Sequence, residues 1–403
     1  MSLQPPMEEG LLQRQTHFAQ ARRVVVKAGS AVLTVPDGLD VMVIEQLAHQ
    51  LSFLQKSGRQ VILVTSGAVA AGRQKLGIVR EKNEALKVKQ ALAATGQGLL
   101  MQAYEQAFAA HQQPVAQVLL THADLSNRQR YLNVRNTILT LFEFGVIPII
   151  NENDTVSAEE LRFSDNDTLA ALITNMIGAD MLFLLTDVDG LYTGHPMEEP
   201  DARLVYTVSG IDKNIEAMAG HSGSSLGTGG MATKIRAAKM VASSGGSSFI
   251  GPGKKADILQ NLFSGAEVGT FFLPDAQKAL KRRKHWIAYV LRPQGTLIVD
   301  AGAVRAMVEK GKSLLPSGIC AVEGQFGVGA PVHCVDESGD LIAAGLSNYT
   351  AADIFKIKGK KTAEIVAVLG HKDSDEVIHR DNLVLLDDAR LSKQLATIVS
   401  QDG

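Results

Sequence analysis

Five short apolar runs, at residues 24–26, 61–64, 115–120, 146–150 and 181–185, alternate with segments of helical periodicity. Between the first two, Val41, Ile44, Leu47, Leu51 and Leu54 share one helical face, with Asp40 placed to cap its start and Gly58 to close its end. A second stripe, Tyr131, Val134, Ile138 and Leu141, precedes Gly145. Strands that are apolar along their whole length and separated by helices belong to a parallel sheet covered on both faces. The expected fold class is therefore α/β: an open, mainly parallel twisted sheet sandwiched between helices.

The polar motifs fall at the ends of these strands. Lys27-Ala28-Gly29-Ser30, Thr65-Ser66-Gly67, Asn151-Glu152-Asn153-Asp154 and Thr186-Asp187 each follow an apolar run directly. Ligands of open α/β sheets bind beyond the carboxyl ends of the strands, so four such ends predict one shared crevice. The densest stretch continues into Asp165-Asn166-Asp167, which opens a helical pattern carrying Leu169, Leu172 and Ile173. Carboxylates and carboxamides gathered this closely suit a small zwitterion: the carboxylates take an ammonium and the amides bracket a carboxylate.

A second anion site is written at residues 227–234, Gly-Thr-Gly-Gly-Met-Ala-Thr-Lys, just before a helical segment. Consecutive glycines let backbone N–H groups approach phosphates, and a helix N-terminus adds a favourable field. Lys234 would add a point charge there, and Lys27 could reach the same phosphates across the crevice. Two familiar phosphate motifs fail. Residues 67–72 are followed by Arg73-Gln74 where a Walker loop needs Lys-Ser/Thr, and Lys27 stands where a dinucleotide fingerprint needs glycine.

After about residue 272 the character changes. Lys278, Lys281, Arg282, Arg283, Lys284 and Arg292 make a basic stretch around Trp286. Beyond it, short strands at 297–299, 319–322, 331–335 and 341–344 are separated by glycine turns, a pattern that predicts a small β-barrel. The expected divisions are a flexible N-terminal tail (1–21), a catalytic domain (22–276), a basic linker (277–292), the barrel domain (293–385) and a C-terminal tail (386–403). A formal charge of -2 argues against a dedicated nucleic-acid or membrane binder. With no apolar run near the ~20 residues of a membrane span, no signal-peptide core and only two cysteines in no metal or redox spacing, the expected location is cytoplasmic.

Taken together, these motifs resemble the glutamate 5-kinases of the amino-acid kinase family, with a C-terminal PUA domain, across roughly residues 22–385. The matching features include Lys27-x-Gly29-Ser30, Val64-Thr65-Ser66-Gly67-Ala68, Ile150 to Asp154, Asp165-Asn166-Asp167, Leu185-Thr186-Asp187, Gly190-Leu191-Tyr192 and Gly227 to Lys234. The resemblance implies transfer of the ATP γ-phosphate to the side-chain carboxylate of L-glutamate, the first step of proline synthesis. A carboxylate acceptor is already ionised near neutral pH and needs no general base, which fits motifs containing none of the ten histidines.

By the same resemblance, Lys27 and Lys234 stabilise the phosphoryl group in flight and Asp167 holds the two lysines. Ser66, Gly67, Asn151, Asp154, Asp165 and Asn166 bind glutamate. Lys27, Thr186, Asp187, Thr228, Gly229, Gly230, Met231, Ala232, Thr233 and Lys234 surround ATP, with Mg2+ arriving on the nucleotide and no protein cage for a permanent metal. The implied partners are L-glutamate and ATP, proline as feedback inhibitor sharing the loop 158–164 with glutamate, a homodimer or homotetramer, and weak RNA contact through the PUA domain.

Asp167 and Thr168 have a plainer reading as helix caps, and Thr186 as a strand terminator. The chain departs from the family pattern at Ala28, Ala31, Ser164 and Gly194-His195-Pro196-Met197. The rival functions are a kinase of the same fold acting on another carboxylate or a nucleotide, and an RNA-binding regulator.

Overall fold

The computed structural model describes residues 7–36, 38–79, 84–156, 165–196, 198–220, 230–275, 287, 291, 293–372 and 374–386. The chain divides into two compact units, Met1–Leu280 and Lys281–Gly403. In chain order the first unit runs α1 (Met7–Gln20), β1 (Arg23–Ala28), α2 (Ser30–Leu33), the paired β2 and β3 (Thr34–Val35, Gly38–Leu39), α3 (Val41–Lys56) and β4 (Gln60–Val64). Next come α4 (Ala68–Leu76), α5 (Leu86–Ala109), β5 (Val115–Leu120), α6 (His122–Ser126), α7 (Arg128–Glu143), β6 (Ile147–Glu152), α8 (Asn166–Ile177) and β7 (Met181–Thr186). It closes with β8 (Thr207–Val208), α9 (Lys213–Gly220), α10 (Met231–Ala242), β9 (Ser247–Pro252), α11 (Ile258–Phe263) and β10 (Thr270–Phe272).

Eight of these strands form one sheet in the order β5-β6-β4-β1-β7-β9-β10-β8. Pairing is parallel from β5 through β9, and β10 runs antiparallel to β9. The five apolar runs are thus β1, β4, β5, β6 and β7, as the parallel-sheet pattern predicts. Val24 and Val26 bury one face of β1 in a core shared with Leu51 and Leu54 of α3 and Tyr104 and Phe108 of α5. Val25, on the opposite face, is equally buried. Register aligns the strand ends: Lys27 lies opposite Val64 and Leu184, and Val64 opposite Ile150. Helix α3 forms as its sequence dictates, with the Asp40 side chain accepting from Val43 N at 3.2 Å and Gly58 at φ +87° beyond its end.

The N-terminal segment is not the loose tail expected from its composition. Residues 7–20 form α1, because Phe18 packs edge-on against Phe263 (5.3 Å between centroids) and the buried Arg14 donates to the Val268 carbonyl at 2.7 Å. Removal of Arg14 from water lowers its guanidinium pKa to about 10, against smaller opposing pulls from Glu267 and Tyr206.

The second unit has its own sheet and core. Strands β11 (Gly295–Val299), β12 (Ile319–Gly324), β13 (Pro331–Val335), β14 (Leu341–Leu346) and β15 (Leu383–Leu385) pair in the order β12-β11-β13-β14-β15. Only the β11–β13 pairing is parallel. Leu297, Val299, Val332, Cys334, Ala343 and Ile354 fill the interior. Cys334 is buried, Cys320 is exposed, and both are free thiols.

The basic side chains of residues 278–292, the loop 158–164 with Ser164, Thr228 and Gly229, and the tail beyond residue 386 lie outside the described residues. No helix among the described residues is long and apolar enough to cross a membrane.

Candidate active site

Three buried charges sit at the centre of the sheet. Lys27, near the end of β1, places its ammonium 2.6 Å from Asp167 Oδ1, and Lys234 of α10 places its own 3.3 Å from Asp167 Oδ2. The Thr233 hydroxyl lies 2.8 Å from that same Oδ2. Asp167 is wholly buried, and each lysine is no more than 6% exposed. Burial, the largest single influence on Asp167, raises its carboxyl pKa. The opposing pull of Lys27 and Lys234, with hydrogen bonds from Lys27 and Thr233, outweighs it and holds the pKa below the ordinary value of 3.8. Two ammoniums and one carboxylate, all buried, leave a net positive charge, and buried charge holds an anion more strongly than charge in water.

Local sequence explains each placement. A Cβ on Gly29 would stand 2.9 Å from Lys27 Nζ, so the glycine two residues on clears the lysine head. Asp165, not Asp167, caps α8, accepting from Thr168 N at 2.7 Å. That frees Asp167, two residues further in, to face the lysines. Gly230 is the N-cap of α10 and brings no side-chain cap, leaving the first backbone N–H groups of Met231, Ala232 and Thr233 without an intrahelical partner. A helix start of this kind receives phosphate. Thr186 closes β7, its hydroxyl donating to Asp187 at 3.0 Å.

On the other side of β1, the ends of β4 and β6 meet the start of α8. Asn166 Nδ2 lies 2.8 Å from the Thr65 carbonyl, 2.8 Å from Ser66 Oγ and 3.3 Å from Asn151 Oδ1. Asn151 is itself only 2% exposed. Gly67 adopts φ +108° to turn β4 into α4, a conformation other residues resist. Asp154 is half-buried in the turn after β6.

Strand order therefore separates the crevice into halves. The amide-rich ends of β4 and β6 lie to one side of β1, and the ends of β7 and β9 with the α10 N-terminus to the other. Lys27 stands between them. The Arg73-Gln74 pair that ruled out a Walker loop is structural, with Arg73 gripping Glu84 at 2.7 and 2.9 Å.

Two contributors escaped the sequence reading. Gln97 of α5 accepts from Asn151 Nδ2 at 3.0 Å, and Tyr104 of the same helix shares a 2.7 Å hydrogen bond with the Thr65 hydroxyl. Burial pushes the Tyr104 phenol pKa up, a smaller hydrogen-bond effect of Thr65 opposing it, so the ring stays neutral. The available signal was Gly96-Gln97-Gly98: two helix-weakening residues around one amide, inside an otherwise good helix.

A paired-lysine cradle at the middle of a parallel sheet, with a helix N-terminus on one side and an amide cluster on the other, defines a phosphotransferase. The amino acid kinase family model matches residues 22–251 and the PUA domain model residues 295–369. The chain belongs to the amino acid kinase family. Proteins named glutamate 5-kinase are similar over nearly their full length: that of Desulfotalea psychrophila is 56% identical across 93% of this chain and 99% of its own. Those of Pelobacter propionicus and Moorella thermoacetica are each 51% identical, across 93% and 92% of this chain and 100% and 97% of theirs. A solved isopentenyl phosphate kinase aligns with a TM-score of 0.44 and 22% identity, over 62% of this chain and 99% of that one, too distant to bear on function.

Proposed function

We propose that the chain is an ATP-dependent kinase acting on the side-chain carboxylate of L-glutamate, giving L-glutamyl 5-phosphate, the first step of proline biosynthesis from glutamate. The observation that carries the reading is the Lys27–Asp167–Lys234 cluster set between two unlike half-sites. The nucleotide occupies the side of Thr186, Asp187 and the residues from Thr228 to Lys234. Glutamate occupies the side of Ser66, Gly67, Asn151, Asp154, Asp165 and Asn166, its ammonium met by carboxylates.

A glutamate side-chain oxygen attacks the γ-phosphorus. The new O–P bond forms as the bond from that phosphorus to the β,γ-bridging oxygen breaks, and ADP leaves with the electron pair. No proton is transferred, so the site needs positioning and charge neutralisation. Lys27 and Lys234 meet the equatorial and bridging oxygens. Asp167 keeps the two ammoniums together, which its buried negative charge does at hydrogen-bond distance. A magnesium ion bound to ATP would be held mainly by phosphates and water and would supply charge neutralisation on the β- and γ-phosphates.

Hydroxylamine trapping of the acyl phosphate tests this, with L-glutamate, aspartate, acetylglutamate and no acceptor compared. Hydroxamate should form with glutamate alone. Preference for another acceptor would keep the kinase and overturn the assignment of the amide-rich half.

A further inference from the structure

The acceptor half is built as a chain of carboxamides whose orientations are dictated by the backbone. The Thr65 carbonyl can only accept, so the group 2.8 Å from it must be the Asn166 amide nitrogen. The Glu152 N–H can only donate, so the group 3.0 Å from it must be Asn151 Oδ1. Asn151 therefore turns its nitrogen toward α5, where Gln97 Oε1 accepts at 3.0 Å. That in turn fixes Gln97 with its nitrogen pointing away, buried and without a hydrogen-bond partner among the described residues.

What Gln97 supplies is the acceptor for Asn151. Without it, Asn151 Nδ2 loses its acceptor, and the carboxamide is held at its oxygen end alone, by Glu152 N at 3.0 Å and Asn166 Nδ2 at 3.3 Å, free to tilt away from the geometry that aligns Asn166 and Ser66. The helix is brought close enough for this contact by Gly96, where a Cβ would lie 1.9 Å from the Ala68 carbonyl oxygen of α4.

We infer that Gln97 is a positioning residue that sets affinity for the amino-acid acceptor, orienting Asn151 and, through it, Asn166 and Ser66. The inference rests on the assignment of that half-site to glutamate and adds to it a residue outside the recognised motifs.

Steady-state kinetics of Gln97→Met, which keeps length and bulk but has no amide, provides the test. KM for glutamate should rise about tenfold, while KM for ATP stays within about twofold. On an Asn151→Ala background the same substitution should add nothing, since its route runs through that side chain. Gln97→Asn, too short to reach Asn151, should reproduce the glutamate effect if the methionine variant folds poorly. An unchanged KM for glutamate, an equal rise for both substrates, or full additivity with Asn151→Ala would overturn the inference. The wild-type protein assayed alongside keeps the two claims apart. Its failure to turn over glutamate would remove the functional assignment and this inference with it. Normal wild-type turnover with unaffected Gln97 variants would remove only the role of Gln97.

Discussion

Asp167 carries more of the site than its single charge suggests. Replacing it with asparagine leaves two buried ammoniums facing one another, and breaking a buried pair in this way costs about 3–5 kcal/mol. The pH dependence has a definite sign. With its folded pKa held below 3.8, Asp167 binds fewer protons folded than unfolded between those two values. Its contribution is therefore complete above about pH 3.8 and fades as pH falls through the folded value. Denaturant melts should show a constant gap between wild type and Asp167→Asn near neutrality, narrowing only on the acid side of 3.8. A gap that changes between pH 6 and 8 would assign the effect to another group. Lys234→Ala should lower kcat by about 10²–10³ while glutamate binding, measured by calorimetry, stays within about threefold, because the ammonium acts on charge that develops in transfer. At this scale the sequence was informative. Lys27 and Lys234 stood out in their motifs as phosphate-directed lysines, and Asp167 was singled out only through the family resemblance, but the division of labour between Asp165 and Asp167 was not legible. Which carboxylate caps a helix depends on the backbone angle at its start, and three adjacent polar residues do not reveal that angle.

The crossing of α4 and α5 sets where the acceptor side chains stand. A Cβ on Gly96 would meet Ala68 O at 1.9 Å and Gly72 N at 2.3 Å, both backbone atoms that cannot swing aside. Gly96→Ala should thus cost about 1–3 kcal/mol by overpacking and raise KM for glutamate, as α5 and Gln97 are pushed from Asn151. Gly98, two residues away, has open space around its Cα. There alanine should stabilise by about 0.5–1 kcal/mol through helix propensity, with kinetics unchanged. Thermal melts of the pair read the contrast directly, and equal effects would contradict a close crossing. The apolar periodicities predicted β1, β4, β5, β6, β7 and α3 because each repeats a pattern over several residues. Strands β8 and β10 went unread, being two and three residues long and too short to carry one. Helix α1 was missed because its anchors, Arg14 and Phe18, gain their burial from chain more than 240 residues further on.

At the scale of the molecule, two units each enclose their own hydrophobic core. Calorimetry should resolve two unfolding transitions. Saturation with glutamate and a non-hydrolysable ATP analogue should raise one of them alone, by about 2.7 kcal/mol for each ligand at a hundred times its Kd. A ligand-induced shift of both, or of neither, would contradict placement of the whole site in the first unit. The change to short strands and glycine turns after residue 272 made this division readable, since each unit has its own hydrophobic period.

Attack of a glutamate side-chain oxygen on the γ-phosphorus of ATP leaves an isotopic trace. Glutamate labelled with 18O in that carboxylate, turned over with ATP and trapped by hydroxylamine, tests it most directly. Hydroxylamine attacks the acyl carbon and releases the phosphate with the oxygen through which it was bound. Inorganic phosphate should carry one 18O atom in step with the hydroxamate formed; phosphate free of label would show that water, not glutamate, accepts the phosphoryl group.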